Sequence, residues 1–351
     1  MHLLRYLTFP FAVLYGLITF LYHKLFDSNI LKSESFDLPV ISIGNLSTGG
    51  TGKTPLTEYI IQLLNKDYKV AVLSRGYGRK TKGFRIVNET DTYNETGDEP
   101  LQIKMKFRTS VTVAVDEKRA NGIKQIQKLF PQIQVVLLDD AFQHRAVKPK
   151  LSLMLSSYSK PYFEDFMLPV GNLREYKSGS KRADAIIITK TPGQLSEKEK
   201  QEFISQIKPF PHQKVLFSYL KYGSIVPFNS NSEAIQKIDK SFSILLFSGI
   251  ANNEPLVKYV RSLSENTVVM EFGDHHGFSA GDVEKIKNRF NVISHSNKII
   301  LTTEKDAIRL CTKELLPLVS ALPIYYITIE PGFDESDERK FREMVMGVVR
   351  V

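Results

Sequence analysis

The chain has 351 residues, 42% hydrophobic and 24% charged, a globular composition long enough for two cores, which excludes a wholly disordered protein. A formal net charge of +9 points to an anionic partner, and charge alone leaves nucleic acid, an anionic membrane face and a phosphorylated substrate open. The single cysteine, Cys311, permits no intrachain disulfide, so a secreted disulfide scaffold is excluded and a reducing cytosol fits.

The first element in chain order is a charge-free run from Tyr6 to Tyr22. As a helix it reaches roughly 26 Å at about 1.5 Å per residue, just enough to cross a bilayer core. Tyr6, Tyr15 and Tyr22, with Arg5, His23 and Lys24 at the ends, resemble interfacial anchors. No small-residue cleavage site follows, which argues against a removed signal peptide. Residues 1–28 are therefore expected to form a membrane anchor that keeps the rest in the cytoplasm, the alternative being a buried core helix with Pro10 near its start.

Next, "LPVISIG" reads as a buried strand and "PLTEYIIQLLNK" as a helix, with "GNLSTGGTGKT" between them. A phosphate-binding loop has the pattern G-x-x-x-x-G-K-[ST], and here Ser47 stands where the first glycine is expected. In such a loop the backbone of Ser47, Thr48, Gly49, Gly50, Thr51 and Gly52 and the helix N-terminus surround phosphate oxygens. Lys53 then supplies the cation and Thr54 a hydroxyl for magnesium. Further apolar runs in "YKVAVLSRGYG", "VTVAVD", "QVVLLDD" and "ADAIIITK", with helical stretches such as "KRANGIKQIQKLF" between several, predict a mostly parallel sheet with helices on both faces. This is a P-loop NTPase-like α/β fold, whose ligands bind at the carboxyl ends of strands. Asp139 and Asp140 end one such strand, a placement suited to organising magnesium.

Prolines and polar residues in "KPFPHQKV" interrupt this pattern and place a boundary near residue 212. The expected division is thus a P-loop domain over 29–212 and a linker with a smaller α/β lobe over 213–351, with a cleft between them. Two acidic loops add candidate chemistry. "ETGDEP" carries Asp98 and Glu99, and "EFGDHHGF" carries Asp274, His275 and His276 in the second lobe. The histidines suit a metal site or a general base, and the lack of a further histidine and cysteine cluster makes the base the more economical reading.

Taken in order behind a hydrophobic N-terminus, "IGNLSTGGTGKTP", "LSRGYGR", "GDEP", "DDAFQHR", "LPVGNLRE", "DHHGF" and "TEKDAIRL" resemble the tetraacyldisaccharide 4'-kinase family, the lipid A kinases of Gram-negative bacteria. The resemblance covers nearly the whole chain. The family's loop also has the double glycine without the first one, so Ser47 fits it, whereas Ala141 stands where the family has glycine. The resemblance implies transfer of the γ-phosphoryl group of ATP, with Mg²⁺, to the 4'-hydroxyl of a tetraacylated disaccharide 1-phosphate, giving lipid IVA at the cytoplasmic face of the inner membrane. Its implied partners are that lipid and inner-membrane lipids, with no nucleic acid and no obligate protein partner. It further implies that Asp98 and His275 activate the acceptor hydroxyl, with His276 as the other candidate. Lys53 neutralises phosphate charge, while Thr54 and Asp139, helped by Asp140 or Glu99, hold the metal. Arg75, Tyr77, Arg119, His144, Asn172, Arg174 and Glu175 lie in loops suited to the acceptor, where arginines can grip a phosphate bidentately.

Overall fold

Continuous apolar runs bounded by glycine and polar turns give short strands covered on both faces, the mark of a parallel sheet. In the computed structural model, which describes residues 8–229, 235, 238–295 and 297–350, β1 (Val40–Asn45) is buried along its whole length. It pairs parallel with β5 (Val135–Asp139) on one side and β6 (Leu151–Ser157) on the other. β2 (Val70–Ser74) and β4 (Val111–Val115) continue beyond β5, and β3 (Arg85–Ile86) closes that edge antiparallel. β7 (Ala185–Thr191) continues beyond β6.

The second half extends the same sheet. β8 (Lys214–Pro227) pairs parallel with β7 through its first residues and antiparallel with β12 (Ile324–Phe333) through its later ones. β11 (Lys298–Thr303), β9 (Ser243–Ser248) and β10 (Thr267–Glu271) complete a twelve-stranded order, β10-β9-β11-β12-β8-β7-β6-β1-β5-β2-β4-β3. Residue 212 precedes β8, a strand shared by both halves.

The helices, in chain order, are α1 (Phe9–Asp27), α2 (Lys53–Leu64), the single turn α3 (Tyr93–Thr96), α4 (Asp98–Phe107), α5 (Arg119–Leu129), α6 (Glu197–Ile207), α7 (Glu254–Leu263), α8 (Ala280–Asn291), α9 (Glu304–Leu310), the single turn α10 (Leu316–Val319) and α11 (Glu335–Val349). Leu56, Ile60 and Leu64 of α2 share a core with Phe341 and Val345 of α11, so the last helix, which lies in the 213–351 segment, packs into the P-loop core. Leu245, Phe247, Ile286 and Ile300 build a separate core in the second half.

α1 starts with Pro10 in its first turn, where a missing N–H costs nothing. Its face of Phe9, Phe11, Leu14, Leu17, Ile18 and Leu21 is exposed, and only Ala12, Gly16 and Phe26 of its residues are buried. It is therefore not a core helix. Polar contacts dock it: the Tyr15 hydroxyl donates to the Arg174 carbonyl (2.9 Å), and Arg145 donates to the His23 carbonyl (2.7 Å) and to Asp27 (2.8 Å). Residues 1–7, including Arg5 and Tyr6, lie outside the described residues.

Candidate active site

The glycine loop leaves the carboxyl end of β1 and enters α2 at Lys53. Gly49 and Gly52 have φ of +101° and +86°, conformations that cost a residue with a Cβ far more. Ser47 has no positive φ; it forms an isolated antiparallel bridge with Leu173, and the Thr48 N–H donates to the Asn172 carbonyl at 2.8 Å. That position requires no glycine, which is why serine serves there. Lys53 Nζ lies 3.5 Å from Asp140 Oδ1 and donates to Asn45 Oδ1 at 3.4 Å, while Asn45 Nδ2 holds the Ser47 carbonyl at 2.6 Å.

β5 carries the adjacent carboxylates into different surroundings. Asp139 is fully buried, accepts one bond from Thr57 Oγ1 (3.2 Å) and has no partner at Oδ2. Burial, then the nearby charges of Glu99 and Asp140, push its carboxyl up to about 7. Asp140, at φ +47°, receives Arg174 Nη2 at 2.9 Å and Nη1 at 3.2 Å. Burial opposes its charge, yet Lys53 and Arg174 hold it well below the usual carboxylate range. Arg174 also donates to Asn45 Oδ1.

The other cluster joins the two halves. Asp98 opens α4 and is buried; its Oδ2 lies 3.2 Å from His275 Nδ1 and accepts from Arg309 Nη2 (2.6 Å) and Nε (3.1 Å). Burial works against this carboxylate, but His275, Lys305 and Arg309 override it and keep the group ionised far below its ordinary range. His275 has φ +55°, a left-handed conformation costing a non-glycine residue on the order of 1 kcal/mol. Its N–H donates to the Gly249 carbonyl (3.1 Å), and Arg309 Nη1 donates to the same oxygen (2.9 Å), so the strained turn is held from two sides. The imidazole is half-exposed and meets the edge of Tyr77 at 6.0 Å. His276 instead pairs with Asp282 at 3.1 Å. Of the adjacent histidines, His275 is the one that touches Asp98.

The remaining sequence-selected residues separate by exposure. Arg75 and Tyr77 are exposed beyond β2; Tyr77 stands against His275, and Arg75 lies within electrostatic range of Arg119 and His144. His144 is half-buried; burial, then Arg119 and Arg75, lower its pKa to about 4, so it is neutral near pH 7. Asn172 acts through its backbone on Thr48. Two residues expected in ligand-facing loops are interior ties. Arg119 is buried and donates to the Asp139 carbonyl (3.3 Å) and the Asp116 carbonyl. Glu175 is buried with Arg182 (2.7 and 2.8 Å), Gln143 (3.0 Å) and His23 (3.1 Å) around it. Arg119 thus directs its guanidinium to backbone carbonyls, and Glu175 its carboxylate to interior donors. Glu99 is likewise paired, with Lys305 at 2.5 Å. Asn45, Arg309, Lys305 and Lys190 were not singled out from sequence. Each falls inside a quoted stretch, Asn45 in "GNLSTGGTGKT", Lys190 at the end of "ADAIIITK" and the other two in "TEKDAIRL", but nothing local assigns it a role, and the partner of Arg309 lies 211 positions away.

A glycine loop between a central parallel strand and a helix, with carboxylates at the end of the neighbouring strand, defines a P-loop nucleotide-binding α/β protein. The family profile described as tetraacyldisaccharide-1-P 4'-kinase matches residues 4–350. The chain is 46% identical over 339 residues to a tetraacyldisaccharide 4'-kinase of Flavobacterium johnsoniae, covering 96% of this chain and 97% of that protein. It is 40% identical to the Phocaeicola vulgatus protein of the same name, over 97% of this chain and 94% of the other. A crystal structure of the "apo" form of LpxK from Aquifex aeolicus in complex with ATP matches with a TM-score of 0.75 at 29% identity, over 99% of each chain. The chain belongs to the tetraacyldisaccharide 4'-kinase family and is a kinase of lipid A biosynthesis.

Proposed function

We propose that this kinase transfers the γ-phosphoryl group of ATP to the 4'-hydroxyl of a tetraacyldisaccharide 1-phosphate, working with Mg²⁺ at the cytoplasmic face of the inner membrane. The observation that carries the reading is the Asp98–His275 contact, 3.2 Å, joined across the two halves of the sheet. A sugar hydroxyl is a poor nucleophile near neutral pH and needs a proton acceptor. With the Nδ1 proton donated to Asp98, His275 Nε2 is free to take the hydroxyl proton as the acceptor oxygen bonds to phosphorus and the β–γ bridge bond breaks. Lys53 and the loop N–H groups offset the charge on the transferring phosphoryl group. Arg75 is the candidate grip for the lipid's own phosphate, with Tyr77 beside His275 on the acceptor side.

The side chains suit magnesium. Thr54, in the first turn of α2, is a buried residue, and Asp139 Oδ2 is buried without a partner. Among the described residues no three His, Cys, Asp or Glu side chains cluster as a metal cage. An ion that keeps several waters and borrows phosphate oxygens needs only one or two protein donors. Asp140 and Glu99 are the weaker candidates, being engaged by Arg174 and Lys305. Bound there, the ion neutralises charge on the β- and γ-phosphates. The exposed apolar face of α1 is the surface for the membrane, and the +9 charge favours an anionic lipid acceptor. In this reading residues 29–212 hold the nucleotide and the later lobe brings His275 to it.

The test is an assay of purified protein in detergent with γ-labelled ATP and the disaccharide 1-phosphate. Label is expected in the lipid, at the 4'-position. Release of all label as inorganic phosphate, independent of acceptor, would overturn the reading.

A further inference from the structure

We infer that Lys190 is a positioning residue of the nucleotide site, one that fastens the glycine loop in its phosphate-receiving shape from the end of β7. The backbone singles it out first. The pairing of β7 with β8 shifts register between Thr189 and Thr191, and Lys190, at that irregularity, has φ +59°. Irregularities of this kind re-aim a side chain, and the left-handed conformation of a lysine needs compensation from what that side chain reaches.

It reaches the loop. Lys190 Nζ donates to the Gly50 carbonyl at 2.6 Å, and the preceding Thr189 Oγ1 donates to the Thr51 carbonyl at 2.8 Å. Two consecutive peptides of the glycine loop are thus held from one strand end. In a trans peptide the N–H points opposite to the C=O, so these bonds turn the Thr51 and Gly52 N–H groups away from β7. The Thr51 N–H meets the Gly49 carbonyl at 3.0 Å. Gly49 and Gly52, at positive φ, have no rigidity of their own, and an external tie is what gives such a loop a fixed shape.

Charge adds a second, independent observation. Lys53 is balanced by Asp140 at 3.5 Å and Lys305 by Glu99 at 2.5 Å, whereas Lys190 has no carboxylate within 4.0 Å among the described residues. Burial, then Lys305 and Lys53, lower its pKa: the Lys190 ammonium faces like charges, while its hydrogen bond goes to the uncharged Gly50 carbonyl. A phosphate group at the loop would supply a counter-charge.

The inference rests on ATP being the donor, and the experiment separates the two. Full-length wild type and the Lys190→Met, Lys190→Gln and Lys190→Arg variants are compared by calorimetric ATP titration and by steady-state kinetics against both substrates. Lys190→Met is expected to raise the KM for ATP on the order of tenfold, with the lipid KM unmoved and kcat within about threefold. Lys190→Arg should recover most of the loss, and Lys190→Gln only the part owed to the hydrogen bond. An unchanged ATP affinity in Lys190→Met, with at most a lower melting temperature, would overturn the inference. No ATP binding by wild type would overturn both it and the donor reading.

Discussion

At Asp98 a single carboxylate oxygen takes two bonds from Arg309 and one from His275, and this concentration of donors explains why a buried acid stays ionised. It also restricts His275 to one orientation, at the expense of a left-handed backbone. Asp98→Asn and His275→Ala are therefore expected to lower kcat by about 10²- to 10⁴-fold while the KM for ATP stays within about twofold. His276→Ala, whose imidazole serves Asp282, should keep near-normal turnover. Equal losses in the two histidine variants, read by steady-state kinetics, would reassign the base. The types and spacing of Lys53, Thr54, Asp98, Asp139 and His275 were legible because each sits in a short local motif. Arg309 was not, because a lone arginine in an ordinary helix gives no sign of a partner 211 residues away.

Three helices that carry the site meet in one buried polar knot. Lys106 of α4 donates to Glu58 of α2 (2.6 Å) and to Glu304 of α9 (3.2 Å), and Gln102 of α4 donates to the same two carboxylates at 2.7 and 3.3 Å. This knot fixes the P-loop helix, the Asp98 helix and the Arg309 helix relative to one another. Burial, then the facing Glu304, raise the Glu58 pKa from 4.5 to about 7 despite Lys106. The sign follows: between pH 4.5 and 7 the folded state holds a proton that the unfolded chain has released, so Glu58 makes stability fall as pH rises through this window. The slope is at most about 1.4 kcal/mol per pH unit. Glu58→Gln removes the Glu58 part of this dependence and leaves that of Glu304, whose pKa burial also raises. Urea midpoints of the two proteins from pH 5 to 7.5 should show wild type losing ground to the variant as pH rises, and parallel curves would refute it. Of the elements, β1, β2, β4, β5, β7 and their helices were readable from unbroken apolar runs and glycine turns. β6, β8 and β12 were not, since their serine, lysine and glycine residues blur the period while neighbouring strands supply the burial.

On the scale of the whole molecule, one sheet runs through both halves, and α1 lies on its flank with an apolar face turned outward. The helix is tied to the residues next to the site, through Tyr15 to the Arg174 carbonyl and through His23 to Glu175. Deleting residues 1–28 is thus expected to do two things: shift the protein from the membrane to the soluble fraction, and lower its melting temperature by loosening the 172–176 segment. Fractionation and calorimetry check these separately. Undiminished membrane association would show that another surface holds it.

The order of local motifs, the glycine loop, the acidic strand end and the apolar N-terminus were settled along the chain, because each depends on residues a few positions apart. The tertiary structure alone decided which carboxylates face the site and which are internal ties. It also decided that His275 and not His276 meets Asp98, that Arg309 pairs with Asp98, and that Lys190 reaches the Gly50 carbonyl of the glycine loop. Those outcomes depend on burial and on contacts between distant strand ends, and a linear pattern carries neither.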